Sequence, residues 1–178
     1  MPRRIQQART SVTARATQAD VADSWFKSAV RYLSRFDRTT RQIEEFLRAR
    51  GASPVQIART IRRLAALRYL DDSAYAERWI ASRSARSPLG TVRLKGELLR
   101  RGLSEDIVEN ALRHALSELD EETLARRTVG LKQRRGRSLS RQQTFRLLRQ
   151  RGFEEDVISR IMGEWPETER IDDEEQCR

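Results

Sequence analysis

Apolar residues recur at helical spacing on either side of three glycines, Gly51, Gly102 and Gly152, which lie 51 and 50 residues apart. Apolar residues stand four positions before and six positions after each glycine, namely Leu47, Leu98, Leu148, Ile57, Val108 and Ile158. Four positions further out the pattern continues with Ile43, Leu94, Ile61, Leu112 and Met162, and only Thr144 is polar. Because residues four apart share one helix face, the repeat predicts a helix ending at each glycine and another after a short turn.

Start and stop signals for helices agree with this repeat. Twelve residues before each glycine lie Thr39, Gly90 and Ser140, all residue types that cap helix N-termini. A glycine just past a helix end adopts the left-handed backbone conformation without a steric penalty. The signals predict middle helices at Thr40–Arg50, Thr91–Arg101 and Arg141–Arg151, and third helices that begin near Ser53, Ser104 and Glu154.

A first helix precedes each of these pairs. Its apolar stripe consists of Trp25, Phe26, Ala29, Val30, Leu33 and Phe36 in the first repeat, Tyr75, Trp79 and Ile80 in the second, and Leu124, Thr128 and Leu131 in the third. We therefore predict an all-α protein of three tandem three-helix modules, similar to helix-turn-helix units, in an elongated and curved arrangement. The expected boundaries are a disordered basic arm at 1–20, modules at 21–70, 71–119 and 120–165, and an acidic tail at 166–178.

Composition limits the class of protein. The 178 residues include 36 Lys and Arg against 26 Asp and Glu, a net charge of +10, and 38% apolar residues, which suits three small cores better than one large core. The residues from Glu164 onward carry a net charge of −5, so residues 1–163 carry +15. A single cysteine excludes a disulfide framework, and no run of 18 apolar residues exists that could span a membrane.

The sequence contains no recognisable catalytic or metal-binding constellation. His114 is the only histidine and has no partner at metal-ligand spacing, which favours a structural role. Cys177 lies in the acidic tail, where a nucleophile could not be desolvated. Paired acids such as Glu105-Asp106 stand at predicted helix starts, where they complement the helix dipole. We therefore expect a binding protein without enzymatic activity, cofactor or metal.

A three-helix unit with a glycine turn before its last helix is also an architecture that reads the major groove of DNA. The charges of the predicted third helices indicate which modules could bind DNA in this way. The first has no acid from residue 54 to residue 70 and carries Arg59, Arg62, Arg63 and Arg68. The other two have a net charge of −3 each, which phosphates would repel. A stand-alone helix-turn-helix protein that binds nucleic acid through its first module is therefore the alternative function.

Positive charge is concentrated in the first helices, middle helices and connections of repeats two and three. A basic ridge of this kind suits a nucleic-acid backbone or an acidic protein surface, whereas scattered solvated helix faces are the alternative explanation. We favour the binding ridge because residues 1–163 carry a charge of +15. The residues expected to bind are Arg83, Arg86, Arg93, Lys95, Lys132, Arg134, Arg135, Arg137 and Arg141.

Four stretches of the chain resemble the RecX family. The most characteristic is Gly90-Thr-Val-Arg-Leu-Lys-Gly-Glu-Leu-Leu-Arg-Arg-Gly102, and the third module resembles the family at Phe145-Arg-Leu-Leu-Arg-Gln-Arg-Gly-Phe153. The other two stretches are 29–51 and 69–83, and the resemblance covers residues 25 to about 163, including the order of the modules. Gly96 departs from the family pattern inside a predicted helix, at a propensity cost of about 1 kcal/mol, and is expected to mark a close backbone contact.

The resemblance implies a bacterial regulator of the recombinase RecA that has no catalytic residues of its own. Members of this family lie in the helical groove of the RecA–single-stranded DNA filament and lower its ATP hydrolysis and strand exchange, which modulates the SOS response, DNA repair and recombination. The partners expected from the resemblance are thus the RecA filament and its single-stranded DNA, with a monomeric chain in the bacterial cytoplasm. Tyr69, Leu70 and Trp79 are expected to pack at the junctions between modules.

Overall fold

The computed structural model describes residues 18–118, 120–133 and 138–164, and these contain nine α-helices and no strand. The helices are α1 (Gln18–Leu33), α2 (Thr40–Ala49), α3 (Pro54–Ala66), α4 (Asp72–Arg86), α5 (Thr91–Arg100), α6 (Glu105–Glu118), α7 (Glu121–Gln133), α8 (Arg141–Arg151) and α9 (Glu155–Gly163). The predicted all-α class and the tandem three-helix modules are therefore confirmed. None of the helices in these ranges has both the length and the apolar composition needed to cross a membrane.

Each set of three consecutive helices encloses its own hydrophobic core. Module 1 (α1–α3), module 2 (α4–α6) and module 3 (α7–α9) hold three separate clusters of buried side chains, and the extensive helix–helix packing lies within the modules. The leucines four residues before the repeat glycines, Leu47, Leu98 and Leu148, are completely buried, one in each core. The apolar positions predicted from the repeat therefore build three small cores instead of one.

The helix ends follow the predicted capping chemistry. Thr39 and Ser140 each form a capping box, in which the side chain accepts from the third helical amide and a glutamine returns the bond. The repeat glycines have φ angles of 87°, 83° and 76°, in the left-handed region that favours glycine. The capping boxes fix where α2 and α8 begin, and the glycines mark where all three middle helices end.

Three features differ from the sequence prediction. Helix α1 ends at Leu33, so Phe36 is 66% exposed and takes no part in the apolar stripe. In α7 the buried stripe includes Ala125 and Val129, and Leu131 is 38% exposed because it lies about a quarter turn from the centre of that stripe. The prediction for Gly96 is also wrong, since a Cβ added there meets no atom of the described residues within 4 Å.

Consecutive modules meet at a joint that has the same design twice. The N-terminus of one middle helix lies against the C-terminal end of the next middle helix. At the first joint the Thr39 hydroxyl donates to the carbonyl of Arg101 over 2.7 Å. At the second joint the Gly90 amide donates to the carbonyl of Arg151 over 3.0 Å. Arg101 and Arg151 both precede a repeat glycine, so the two joints use equivalent carbonyls.

A carboxylate completes each joint. The Thr40 amide donates to Asp72 at the start of α4 over 2.8 Å, and the Thr91 amide donates to Glu121 at the start of α7 over 2.9 Å. Both amides belong to the first turn of a middle helix, whose partial positive charge favours an acid. The following module therefore supplies both a carbonyl and a carboxylate to the preceding one.

The second joint brings two backbones too close together for an ordinary side chain. A Cβ on Gly90 would clash with the backbone of Gly152 and Phe153. A Cβ on Gly152 would clash with Arg93, which also donates from its guanidinium to the carbonyl of Gln150 over 2.7 Å. Glycine at position 90 is thus required by contact with the next module, in addition to its place at a helix start.

Candidate binding surface

The structure describes six of the nine residues predicted to form the basic ridge. Arg134, Arg135 and Arg137 lie outside the described residues. The other six differ in what their charges face, and that difference decides which of them are available to a partner. Those six are Arg83, Arg86, Arg93, Lys95, Lys132 and Arg141.

Arg83 and Arg93 surround a buried carboxylate. Glu97 is 8% exposed, and its oxygens lie 3.4 Å from Arg93, 3.7 Å from Arg83 and 3.9 Å from Arg101. Arg101 also donates to the Glu97 carbonyl over 2.8 Å. A buried carboxylate is costly unless cations and hydrogen bonds compensate it. These arginines therefore neutralise Glu97, a residue that the sequence prediction did not single out although it is the only acid of its middle helix.

Trp79 packs within module 2 under the same arginines. It lies against the module 2 core, with the guanidinium of Arg101 4.5 Å from its ring centroid. Leu70 is buried in the core of module 1, and the ring of Tyr69, 50% exposed, contacts Phe26 of the same module edge to face. Tyr69 and Leu70 therefore pack inside module 1 and not at a module junction. Trp79 packs in module 2 and also lines a groove with Phe36, Asp37 and Arg38 of module 1.

Lys95 is neutralised by the neighbouring helix. Its ammonium lies 2.8 Å from Glu109 and 2.9 Å from Glu105, both on α6. The hydrogen bond to Glu109 raises the pKa of Lys95, and the same bond lowers the pKa of Glu109. Lys95 therefore connects α5 to α6 and contributes little positive charge to the surface.

Several other basic residues of module 3 also have structural partners. Arg126 binds Glu122 at 2.6 Å and Glu164 at 2.5 Å, which connects α7 to the end of α9. Arg127 donates to the carbonyl of Ala85 over 3.0 Å, and Arg151 donates to the hydroxyl of Ser87 over 2.5 Å. The last two contacts cross from module 3 to the end of α4, so they belong to the second joint.

Most of the available positive charge of module 3 lies along α8. Arg141, Phe145 and Arg149 are spaced four residues apart on one face, and the exposed Arg146 lies beside them. Within the described part of the chain, Arg146 and Arg149 have no carboxylate partner, and the Nε of Arg141 is buried without a hydrogen bond. Arg141 belongs to the predicted set, whereas Arg146 and Arg149 were part of the ridge but not of the predicted binding residues.

These side chains line a groove between α8 and α9, which we call the α8 groove. Its volume is about 1080 Å³, and it is lined by Arg141, Gln142, Phe145, Arg146, Arg149, Gln150, Ile158, Ser159, Met162 and Gly163. The groove combines three guanidinium groups with the apolar side chains of Phe145, Ile158 and Met162. Guanidinium groups bind phosphates and carboxylates in a bidentate manner, and aromatic side chains stack on bases or apolar groups.

Arg86 and Lys132 are exposed cations in the last turns of α4 and α7. Neither has an ion-pair partner among the residues described. A cation in a last turn is favoured by the helix dipole, which provides a structural reason for each. Their positions next to the connections that lead into α5 and α8 leave them available to a partner as well.

Module 1 carries a second, smaller basic surface on α3. Arg59 and Arg62 are exposed, and no acid lies on this helix. Arg63 is different because it binds Asp23 at 3.2 Å and lies over the ring of Phe26 at 4.0 Å. The surface of α3 that is open to a nucleic acid therefore consists of Arg59 and Arg62.

His114 acquires no partner for catalysis or metal binding among the described residues. His114 is exposed, and its described neighbourhood contains no group of His, Cys, Asp and Glu that could hold a metal ion. Cys177 lies outside the described residues. The features that the structure does bring together are arginines, an apolar groove and repeated joints.

The fold and this surface define a tandem three-helix repeat protein with a basic groove. Profiles of the RecX first and second three-helix domains match residues 26–64 and 71–112. The regulatory protein RecX of Treponema pallidum (strain Nichols) is 33% identical over 135 residues, which cover 76% of this chain and 81% of that protein. The chain therefore belongs to the RecX family.

Other relatives are similar over a smaller part of their length. The regulatory proteins RecX of Chlorobium phaeobacteroides (strain BS1) and Bacillus subtilis (strain 168) are 34% and 29% identical over 87 and 149 residues. These matches cover 49% and 82% of this chain but only 58% and 56% of the relatives. The chain thus spans a little over half the length of these two proteins.

A solved structure has the same fold. The crystal structure of RecX from Lactobacillus salivarius superposes with a TM-score of 0.69 at 25% sequence identity, and the match covers 82% of this chain and 97% of that one. Because nearly all of that chain is matched, its architecture is the tandem module arrangement described above.

Proposed function

We propose that this chain binds the RecA–single-stranded DNA filament in its helical groove and lowers RecA's ATP hydrolysis and strand exchange, thereby modulating DNA repair and recombination. Membership of the RecX family supports this function. The chain would act as a non-catalytic regulator, a monomer when free, in the bacterial cytoplasm.

The α8 groove is the observation that carries the proposal. A nucleoprotein filament presents phosphates and acidic side chains next to apolar protein surface and unstacked bases. The groove presents unpaired Arg146 and Arg149 next to Phe145, Ile158 and Met162. The charge of the groove suits phosphates and acidic side chains, and its apolar floor suits apolar protein surface and unstacked bases.

The modular construction supports contact with more than one RecA protomer. Each module has its own core and its own surface, and the exposed cations extend from Arg86 in module 2 to Lys132 and Arg149 in module 3. Weak contacts made by connected modules add, because each contact raises the effective concentration of the next. Inhibition would then depend strongly on salt, since exposed charges are screened.

The direct test is a titration of the full chain into RecA filaments formed on single-stranded DNA, with ATP hydrolysis as the readout. We expect hydrolysis to fall as the chain is added, and binding to naked single-stranded DNA to be weaker under the same conditions. No change in hydrolysis at saturating concentrations would contradict the proposed function.

A stand-alone nucleic-acid-binding protein is the second candidate, and exposed Arg59 and Arg62 on α3 favour it. The double variant Arg59→Glu/Arg62→Glu separates the two functions. If the chain acts by binding naked duplex DNA, this variant loses that binding. If it acts on the RecA filament through module 3, inhibition of ATP hydrolysis is retained in the same variant.

A further inference from the structure

Equivalent helix caps in the three modules differ in exposure. Thr39 and Gly90 are buried because each contacts the following module through a joint. Ser140, the equivalent cap of α8, is exposed. Within the described residues, the α8 cap is therefore the one that no following module covers.

The repeat glycines also differ in exposure, but here the first module has the exposed residue. Gly102 and Gly152 are half-buried, and side chains or backbone of the preceding module lie against them. Gly51 is exposed, and a Cβ added to it meets no atom of the described chain within 4 Å. Among the described residues, the Gly51 end of α2 and the Ser140 cap of α8 thus lack the neighbouring module that their equivalents contact.

Ser140 is already arranged to make the contact of the first joint. It forms the same capping box with Gln143 that Thr39 forms in module 1. A capping hydroxyl accepts a hydrogen bond and keeps its own proton to donate, and Thr39 donates its proton to the carbonyl of Arg101. The equivalent carbonyl at the exposed glycine end is that of Arg50.

The Ser140 end of α8 and the Gly51 end of α2 are complementary in charge and in shape. The N-terminus of α8 carries the positive end of a helix dipole, and the C-terminus of α2, next to Gly51, carries a negative end. Within the first joint the side chain of Arg41 covers Gly102, and the equivalent residue of module 3 is the exposed Gln142. Gln142 can lie over Gly51 in the same way.

We propose that the Ser140 end of one copy of this chain docks on the Gly51 end of a second copy, repeating the joint that occurs twice within the chain. Such a head-to-tail contact is heterologous, so it extends into rows unless its rotation closes a ring. This proposal rests on the proposed function, because the groove of the RecA filament would align successive copies and raise their effective concentration. Copies bound to RecA would then bind next to one another cooperatively.

Three chains test the contact on RecA filaments: the unmodified chain, Ser140→Thr and Ser140→Asp. Both threonine and aspartate cap helices, so α8 stays intact. Threonine keeps the donated proton, whereas aspartate has none and places a negative charge against a carbonyl. Occupancy can be followed through a fluorophore on the single cysteine, Cys177.

We expect cooperative binding by the unmodified chain and by Ser140→Thr. In Ser140→Asp the association of neighbours should weaken by about tenfold, while the affinity of isolated copies is unchanged. Non-cooperative binding by the unmodified chain, or equal cooperativity in Ser140→Asp, would overturn the proposal.

Two further measurements separate other causes. If no variant binds the filament, the proposed function fails. Sedimentation of the chain at high concentration then tests the contact between copies without RecA. Association that Ser140→Asp abolishes supports the contact, and no association overturns it. Removal of residues 165–178 also removes Cys177, so this variant is followed through RecA's ATP hydrolysis. If it abolishes cooperativity while Ser140→Asp preserves it, the tail makes the contact and the joint does not.

Discussion

The guanidinium of Arg101 lies 4.5 Å from the ring centroid of Trp79, and the same guanidinium donates to the carbonyl of Glu97. Trp79 therefore fills the edge of the module 2 core and supports the arginines around the buried carboxylate. We expect Trp79→Ala to lower the free energy of unfolding by about 3 kcal/mol, at the low end for a large aromatic truncated to alanine. Thermal unfolding measures the change, and Phe36→Ala, at a 66% exposed aromatic, is the control with little effect. An unaltered melt of Trp79→Ala would show that the indole contributes nothing to the core.

Two glycines of the same region should respond in opposite directions to substitution. Gly96 lies inside α5 with open space at its Cβ, so Gly96→Ala should stabilise the protein by about 1 kcal/mol through helix propensity. Gly90→Ser introduces a better cap but also a Cβ that clashes with Gly152, so we expect a lower melting temperature. A gain of stability in Gly90→Ser would mean that the second joint is not as tight as described.

The ion pair between Lys95 and Glu109 should make stability depend on pH. The hydrogen bond from Lys95 lowers the pKa of folded Glu109 below its ordinary value of 4.5. A carboxyl whose folded pKa is depressed contributes stability above its unfolded pKa and loses it as the pH falls through the folded pKa. Glu109→Gln should therefore be less stable than the unmodified chain at neutral pH and equally stable in strong acid.

Thermal melts from neutral to strongly acidic pH check this expectation. Glu77→Gln is the matched control, because Glu77 is exposed and has no ion-pair partner among the residues described. A stability difference for Glu109→Gln that persists unchanged in acid would point to a cause other than the ion pair.

The α8 groove predicts a loss of filament binding in Arg146→Glu/Arg149→Glu. Both side chains are exposed, so helical circular dichroism should be unchanged. If each arginine contacts a phosphate of single-stranded DNA, the salt dependence of log K should fall by about 0.7 per contact. Arg31→Glu/Arg35→Glu changes the same charge at exposed positions of module 1 and should retain inhibition. Equal inhibition by both double variants would remove the groove from the binding surface.

The connection before α8 carries a separate prediction. Reversal of Arg134, Arg135 and Arg137 to Glu should weaken inhibition of RecA's ATP hydrolysis because it removes the densest run of positive charge in the sequence. Helical circular dichroism serves as the folding control. Undiminished inhibition would exclude these arginines as contacts.

Local signals were sufficient to predict the modules from the sequence. The left-handed Gly51 and the cap Thr39 act within a few residues, so their pattern alone fixes where α2 begins and ends. The burial of Leu148 follows from its place on an apolar helix face. Such features depend on the chain within one or two turns, and the repeat displays them three times.

The ion pairs of the candidate site could not be predicted from the sequence because they depend on the tertiary arrangement. Charge alone selected Arg93 and Lys95 as binding residues, and folding places Arg93 beside Glu97 and Lys95 beside α6. The close approach that requires Gly90 is made by Gly152, 62 residues further along the chain. No local pattern contains such a contact, although a lone acid such as Glu97 on a buried face is a signal that could have been recognised.

The polar joints have a mechanical consequence. Because neighbouring modules share hydrogen bonds and short contacts at each joint and keep separate cores, a small rotation at a joint strains a few hydrogen bonds and leaves the packed interiors unchanged. Stability in such chains is a sum of module terms and nearest-neighbour terms. A change in the angle between modules would therefore be taken up at the joints, where few contacts are made, before it disturbed a module core.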